Sequence, residues 1–143
     1  MIVFRVRGEP ASQGSKRAFV PRGQNRAVVV DDNPKSLKSW RAAVHAAASA
    51  AYDGQPLDGP LGLRLTFYFV RPKSHSRRES SCPWRWQRPD WEKLARAVGD
   101  ACKGVVWADD AQVAEAHVSK RYAEGEHLPG VEVEVWPLAR RQD

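Results

Sequence analysis

Apolar and polar positions along this chain of 143 residues follow two different periods, and the switches between them outline its elements. Residues 2–7, "IVFRVR", read as a first strand. The stretch 8–17, "GEPASQGSKR", has no period, and Gly8, Pro10 and Gly14 argue there against regular structure. "AVVVDD" at 27–32 reads as a short buried strand closed by Asp32, Asn33 and Pro34. Beyond Ser36, which can serve as an N-cap, Leu37, Trp40, Val44, Ala47, Ala48 and Ala51 recur at three- and four-residue spacing. That spacing predicts a helix with one apolar face.

Leu61, Leu63, Leu65, Phe67 and Phe69 then alternate with Gly62, Arg64, Thr66, Tyr68 and Val70, which predicts a strand in the middle of a sheet. The pattern breaks over 71–88 into a long basic loop, and loops of this length are usually functional or disordered. From Pro89 a second helix is expected, with Leu94, Ala97, Val98 and Ala101 on one side and Glu92, Arg96, Asp100 and Lys103 in a stripe on the other. Gly104 should end it. "VVWA" is expected as a short strand, "VAEAHVSKRYA" and "VEVEVWPL" as two longer ones, and 138–143 as a loose tail. No internal repeat is visible. Strands and helices that do not alternate regularly predict a single α+β domain over 1–143, with a mixed or largely antiparallel sheet and two main helices on one face.

Charge changes the picture next. Lys and Arg number 23 against 17 acids, a net charge of +6, which suits a polyanionic partner such as nucleic acid. The two cysteines, Cys82 and Cys102, have no metal-ligand spacing and form no disulfide framework, so a reduced, cytoplasmic protein is expected. The N-terminal run has arginines within it and no long apolar core, and the alanine-rich run carries His45. Neither reads as a signal peptide or a membrane span. His75, His117 and His127 show no ligand spacing either, and no small-molecule cofactor is expected.

Against this basic background the acids Asp90, Glu92, Asp100, Asp109 and Asp110 bracket one helix. Asp90 follows Pro89, where a carboxylate is favoured both as a cap and by the helix dipole. If the segment after Gly104 runs back along the helix, Asp110 meets Asp90 and Glu92, with Asp109 beside it as a further oxygen donor. Converging carboxylates repel unless a cation lies between them, and oxygen-only ligands select Mg²⁺, with Mn²⁺ as a substitute. Such an ion beside a basic surface suits phosphodiester hydrolysis. Arg96 would then stabilise the pentacovalent phosphate and Lys93 would hold a flanking one. Taken singly, each residue has a plainer reading: Asp90 a helix cap, Glu92 and Arg96 an i, i+4 pair, "ADDAQ" a turn. Their joint placement favours the site.

At these residues the chain resembles the RusA family of Holliday junction resolvases, small dimeric endonucleases often carried by phages and prophages. "PDWEKLAR", "DA" and "DDAQV" match the family's P-D-x-D-N-L-x-K, its Asp-Ala pair and its D-D-x-Q-V. "GEPASQGSKR" is similar to the opening of its phage and actinobacterial members, and "VSKRY" is similar to a stretch near their end. The resemblance implies that Asp90, Glu92 and Asp110 are the catalytic carboxylates and that Arg96 takes the place of a catalytic lysine. Glutamate at 92 adds a methylene, and arginine at 96 changes the cation's shape and hydrogen bonding. The resemblance also implies an intertwined homodimer that makes paired nicks across a four-way DNA junction.

Candidate phosphate contacts are Lys16, Arg17, Arg22 and Arg26 near the start, Arg71, Lys73, Arg77, Arg78, Arg85 and Arg88 in the long loop, and Lys93. Trp84 and Trp86, interleaved with arginines, either stack on unpaired bases or cover an interface. Trp40, Trp107 and Trp136 read as core or interface residues. The expected function is a Mg²⁺-dependent, structure-selective endodeoxyribonuclease acting on branched DNA. Its rivals are a junction-binding relative that has lost its chemistry and a small basic structural protein.

Overall fold

Alternation and helical spacing become strands and helices largely where the sequence places them. A computed structural model describes every residue except 15, 32, 33, 76–79, 142 and 143, and the side chains of 16–19 and 28–31 are likewise outside the description. In chain order the elements are β1 (Ile2–Arg7), β2 (Lys16–Phe19), β3 (Val28–Asp31), α1 (Pro34–Ala51), β4 (Leu61–Phe69), α2 (Trp91–Cys102), a 3₁₀ turn (Asp110–Gln112), β5 (Val113–Tyr122) and β6 (Gly130–Pro137). Strand β2 was not expected, because the glycines and proline before it hide a four-residue segment that pairs antiparallel with β3. Helix α1 starts at Pro34 rather than after Ser36. Proline suits a first helical position because the missing N–H has no partner there anyway.

The main sheet has the order β1-β6-β4-β5, with β1/β6 and β6/β4 antiparallel and β4/β5 parallel. It is a mixed sheet in an α+β fold, with β4 inside it as its two-faced burial requires. The odd positions of β4, from Leu61 to Phe69, join Phe4, Val6, Val131, Val133 and Val135 on the face that meets the helices. There Leu37, Trp40, Val44 and Ala48 of α1 and Leu94, Ala97, Val98, Ala101 and Cys102 of α2 close one hydrophobic cluster. A fully buried side chain such as Leu94 contributes roughly 1.5–3 kcal/mol through removal from water. The opposite face of the sheet carries charge pairs, Arg5–Glu132 at 3.1 Å and Arg64–Glu134 at 3.7 Å.

The expected strand at "VVWA" is a correction. Residues 104–106 form a turn, and Trp107 makes only isolated bridges to Leu57 and Lys103. Val106 and Trp107 are apolar because they are buried, at 0% and 1% exposure, not because they lie in a sheet. After β6, Leu138 donates its N–H to Pro60 O at 2.9 Å, and Arg140 pairs with Asp58 at 3.3 Å.

The parallel β4/β5 pair decides where the chemistry sits. Parallel neighbours need a long crossover, and α2 is part of it. A crossover helix returns against the strand direction, so its N-terminus lies at the carboxyl ends of β4 and β5, where open sheets with helical crossovers form their clefts.

Candidate active site

Asp90 is the N-cap of α2, extended at φ −67° and ψ 141°, yet its carboxylate makes no capping hydrogen bond. The side chain is exposed and stands 3.8 Å from Lys93 Nζ. Glu92, likewise exposed, stands 3.8 Å from Arg96 Nη2. Both pairs are loose and in water, where such contacts contribute little.

The loop before β2 packs on this face. Gln13 donates its N–H to Lys93 O at 2.9 Å and its side-chain amide to Asp100. Asp100 also lies 3.6 Å from Arg41, so it ties the loop and α1 to α2. Gly14, at φ +91°, lies so close to Arg96 that a Cβ there would stand 2.6 Å from its Nη1. The positive φ favours glycine there, whereas the close approach is to the tip of a flexible arginine that can move aside.

Asp110 occupies the other end of the helix. Its Oδ1 accepts from Trp107 Nε1 at 2.7 Å, and a Cβ on Gly99 would lie 3.4 Å from its Oδ2. Gly99 follows Glu92 by seven residues, so the two share one stripe but lie about 10 Å apart along the axis, with Arg96 between them. The turn at 104–106 reverses the chain at once, so Asp110 is carried back only as far as Gly99 and does not reach Asp90. Among the described residues, no three Asp, Glu, His or Cys side chains are grouped to hold one metal ion. Asp109 caps the 3₁₀ turn, accepting from Ala111 N at 2.9 Å. Gln112 completes that capping box and donates to Leu57 O at 2.8 Å and Gly59 O at 3.0 Å.

The sequence reading missed Lys120. Its Nζ donates to the carbonyl oxygens of Gln87 at 2.6 Å and Pro89 at 2.7 Å, beside Asp90. Burial and the nearby Arg85 hold its pKa below the usual lysine value, against the opposing pull of Asp90. The signal was present: Val118, Lys120 and Tyr122 share one parity of β5 with buried partners on β4, and a lysine on a core-facing position needs partners. Arg85 donates to Arg88 O at 3.0 Å and 2.6 Å and lies 4.5 Å over the Phe69 ring. Arg71 is bonded to Glu124 and, at 2.8 Å, to Cys82 O. Lys73 and Arg88 are exposed, as are Arg22 and Arg26. Arg77 and Arg78 lie outside the described residues, and so do the side chains of Lys16 and Arg17.

Trp84, Trp86 and Trp91 are exposed, and Trp91 directly follows Asp90. Trp84 is covered on one side by Arg121 at 4.7 Å. Trp40 and Trp107 are core residues, whereas Trp136 lies on the far face of the sheet against Gly62. A cleft of about 690 Å³ opens beside Pro89, lined among others by Arg7, Lys35, Ser36, Ser39 and Glu9. Glu9 has its carboxyl pKa raised by burial, offset by Arg85 and the Val70 N–H. None of the lining cations was singled out from the sequence, because the cleft joins the end of β1 to the start of α1.

The arrangement puts an uncommitted carboxylate at a helix N-terminus with cations on both sides, which suits phosphate chemistry. Comparison with known proteins bears on the family. The chain is 31% identical over 139 residues to YqaN of Bacillus subtilis (strain 168), a protein described as uncharacterised, covering 92% of this chain and 93% of that one. Residues 8–136 match the family model described as endodeoxyribonuclease RusA, a span that holds Asp90, Glu92, Arg96, Asp110 and Lys120 together, and the chain belongs to that family.

Proposed function

We propose that the protein is a divalent-metal-dependent endonuclease that selects four-way DNA junctions and resolves them by paired nicks, acting in the cytoplasm of a bacterial host as a homodimer with one site per subunit. Asp90 carries this reading. An aspartate kept for helix stability would accept from the first-turn N–H groups, an interaction of about 1 kcal/mol. Asp90 does not, and its exposed carboxylate stands 3.8 Å from Lys93 Nζ, next to the separate Glu92–Arg96 pair in the first turn.

The donor set fits a hard cation. Asp90 and Glu92 offer only oxygen and are exposed, and Mg²⁺ or Mn²⁺ keeps several waters while taking one or two carboxylates together with substrate phosphate. Asp90 and Glu92 would hold it. Asp110, the third acidic residue of the proposed site, stands apart from that pair, with its carboxylate against Gly99 on Glu92's stripe. When bound, the ion supplies Lewis-acid polarisation of the scissile phosphate and lowers the pKa of water.

The chain's own cations do the rest. Arg96 offers a fork to the non-bridging oxygens, and Lys93 a point charge to the adjacent phosphate. Arg7, Lys35, Ser36 and Ser39 take the flanking phosphates of one arm in the cleft beside Pro89, with Lys73 and Arg88 adding to the field. Trp86 and Trp91 present open faces to bases unpaired at the branch point.

A nicking assay on a synthetic junction and its matching linear duplex, with Mg²⁺, with Mn²⁺ and with chelator, tests the reading. Asp90→Asn is expected to lower junction cutting on the order of a thousandfold, the several kcal/mol such an ion contributes, while leaving junction binding intact. Cutting by that variant at the natural rate would overturn the assignment. Tight binding by the natural protein without nicks under either metal would instead mark a relative that retains the surface and lacks the chemistry.

A further inference from the structure

The chain that enters α2 carries three consecutive carbonyls before Asp90, and each is held by a cation. Lys120 Nζ takes Gln87 O at 2.6 Å and Pro89 O at 2.7 Å, and Arg85 takes Arg88 O at 3.0 Å and 2.6 Å. The two cations are themselves joined, since Arg85 N–H donates to Lys120 O at 3.0 Å. Tyr122 N–H donates to Pro83 O at 3.1 Å, and Trp84 bridges Arg121, so the segment runs along the free edge of β5. Asp90 has no capping bond of its own, so its approach to the helix is fixed from outside it. Leu94 N–H on Asp90 O, at 3.1 Å, is the first bond on the helix side.

From this geometry we infer that Lys120 is a positioning residue for the nuclease reaction, which sets the place of Asp90 by clamping the carbonyls of Gln87 and Pro89 to β5. The inference rests on the reading of Asp90 as a catalytic carboxylate. A phosphate-binding lysine would keep its three donors toward solvent. Lys120 directs two of them at main-chain oxygens, on a side chain that packs at the edge of the core. Charge-assisted bonds of this length are the strong ones, and two on one ammonium define a position rather than a direction. Catalytic geometry tolerates little error: a displacement of about 1 Å costs about a hundredfold in rate.

The test measures single-turnover nicking and junction affinity, across a salt series, for the natural chain, Lys120→Met, Lys120→Gln, Lys120→Arg and Asp90→Asn. Lys120→Met is expected to cut about ten to a hundred times more slowly with a junction Kd and salt slope unchanged. Lys120→Arg, whose fork reaches two oxygens, should recover most of the rate, and Lys120→Gln, which reaches one, should fall between. If Lys120→Met fails to fold, the ordering of glutamine, arginine and natural lysine carries the test. Natural rates in the methionine or glutamine variant, with Asp90→Asn inactive, would overturn the clamp and leave the catalytic carboxylate standing. Weakened binding with a shallower salt slope would overturn it too, by making Lys120 a phosphate contact. An active Asp90→Asn would remove the reading beneath it.

Discussion

Trp107 donates its indole N–H to Asp110 Oδ1 at 2.7 Å from a position only 1% exposed. The apolar ring is packed in the core, so the carboxylate is held against Gly99 by a buried donor. Trp107→Phe keeps a ring and removes the donor. It should lower stability by about 2–4 kcal/mol, combining a bond to a charged group with lost volume. Urea unfolding checks this, and a nicking rate that falls as far as in Asp110→Asn would show that the carboxylate works only when so held.

Cys102 is fully buried near Asp110, and burial, followed by that charge, pushes its thiol up to about 12 from an ordinary 9.0. The unfolded chain therefore releases this proton first. Stability from this group is complete below the ordinary value and falls as pH rises from about 9 toward about 12. Tyr68, also raised by burial and by Glu132, adds in the same direction at higher pH. Between about pH 8 and about pH 10.5 the natural chain should lose about 2 kcal/mol more than Cys102→Ala does, read from urea midpoints at each pH. Equal losses in the two would mean that the thiol ionises freely in the fold.

Arg7 and Lys35 come from different elements and line the same cleft beside Pro89. Arg7→Ala and Lys35→Ala should each reduce the slope of log affinity against log salt by about 0.9, the change expected for one phosphate contact. The nicking rate of bound junction should stay at its natural value. An unchanged slope in both variants would take the DNA arm off this cleft.

Much of this molecule was legible before folding. β1 matches "IVFRVR", β4 is a strict alternation with one residue trimmed, and the stripe of Leu94, Ala97, Val98 and Ala101 is buried as its spacing requires. "VVWA" was misread because a buried turn and a strand show the same apolar run, and burial by itself does not fix backbone direction. That Asp90, Glu92 and Arg96 stand together at the start of one helix was legible because spacing on one helix is a local property. The meeting expected of Asp110 with Asp90 and Glu92 was not legible, because it depends on where a turn of three residues reverses the chain. Lys120 escaped notice because its strand parity in "VSKRY" asks for partners without naming them.

The sequence by itself determined the elements, their buried faces and the acids and cations that the helix start displays, since periodicity and charge act over a few residues. Only the tertiary structure decided which of these meet. The parallel pairing of β4 with β5 brings the start of α2 to Lys120, and the loop at Gln13 and Gly14 onto Lys93 and Arg96 follows from core packing among segments distant in the chain. Such contacts are set by burial of a shared hydrophobic cluster, a sum over the whole chain that no short stretch of residues contains.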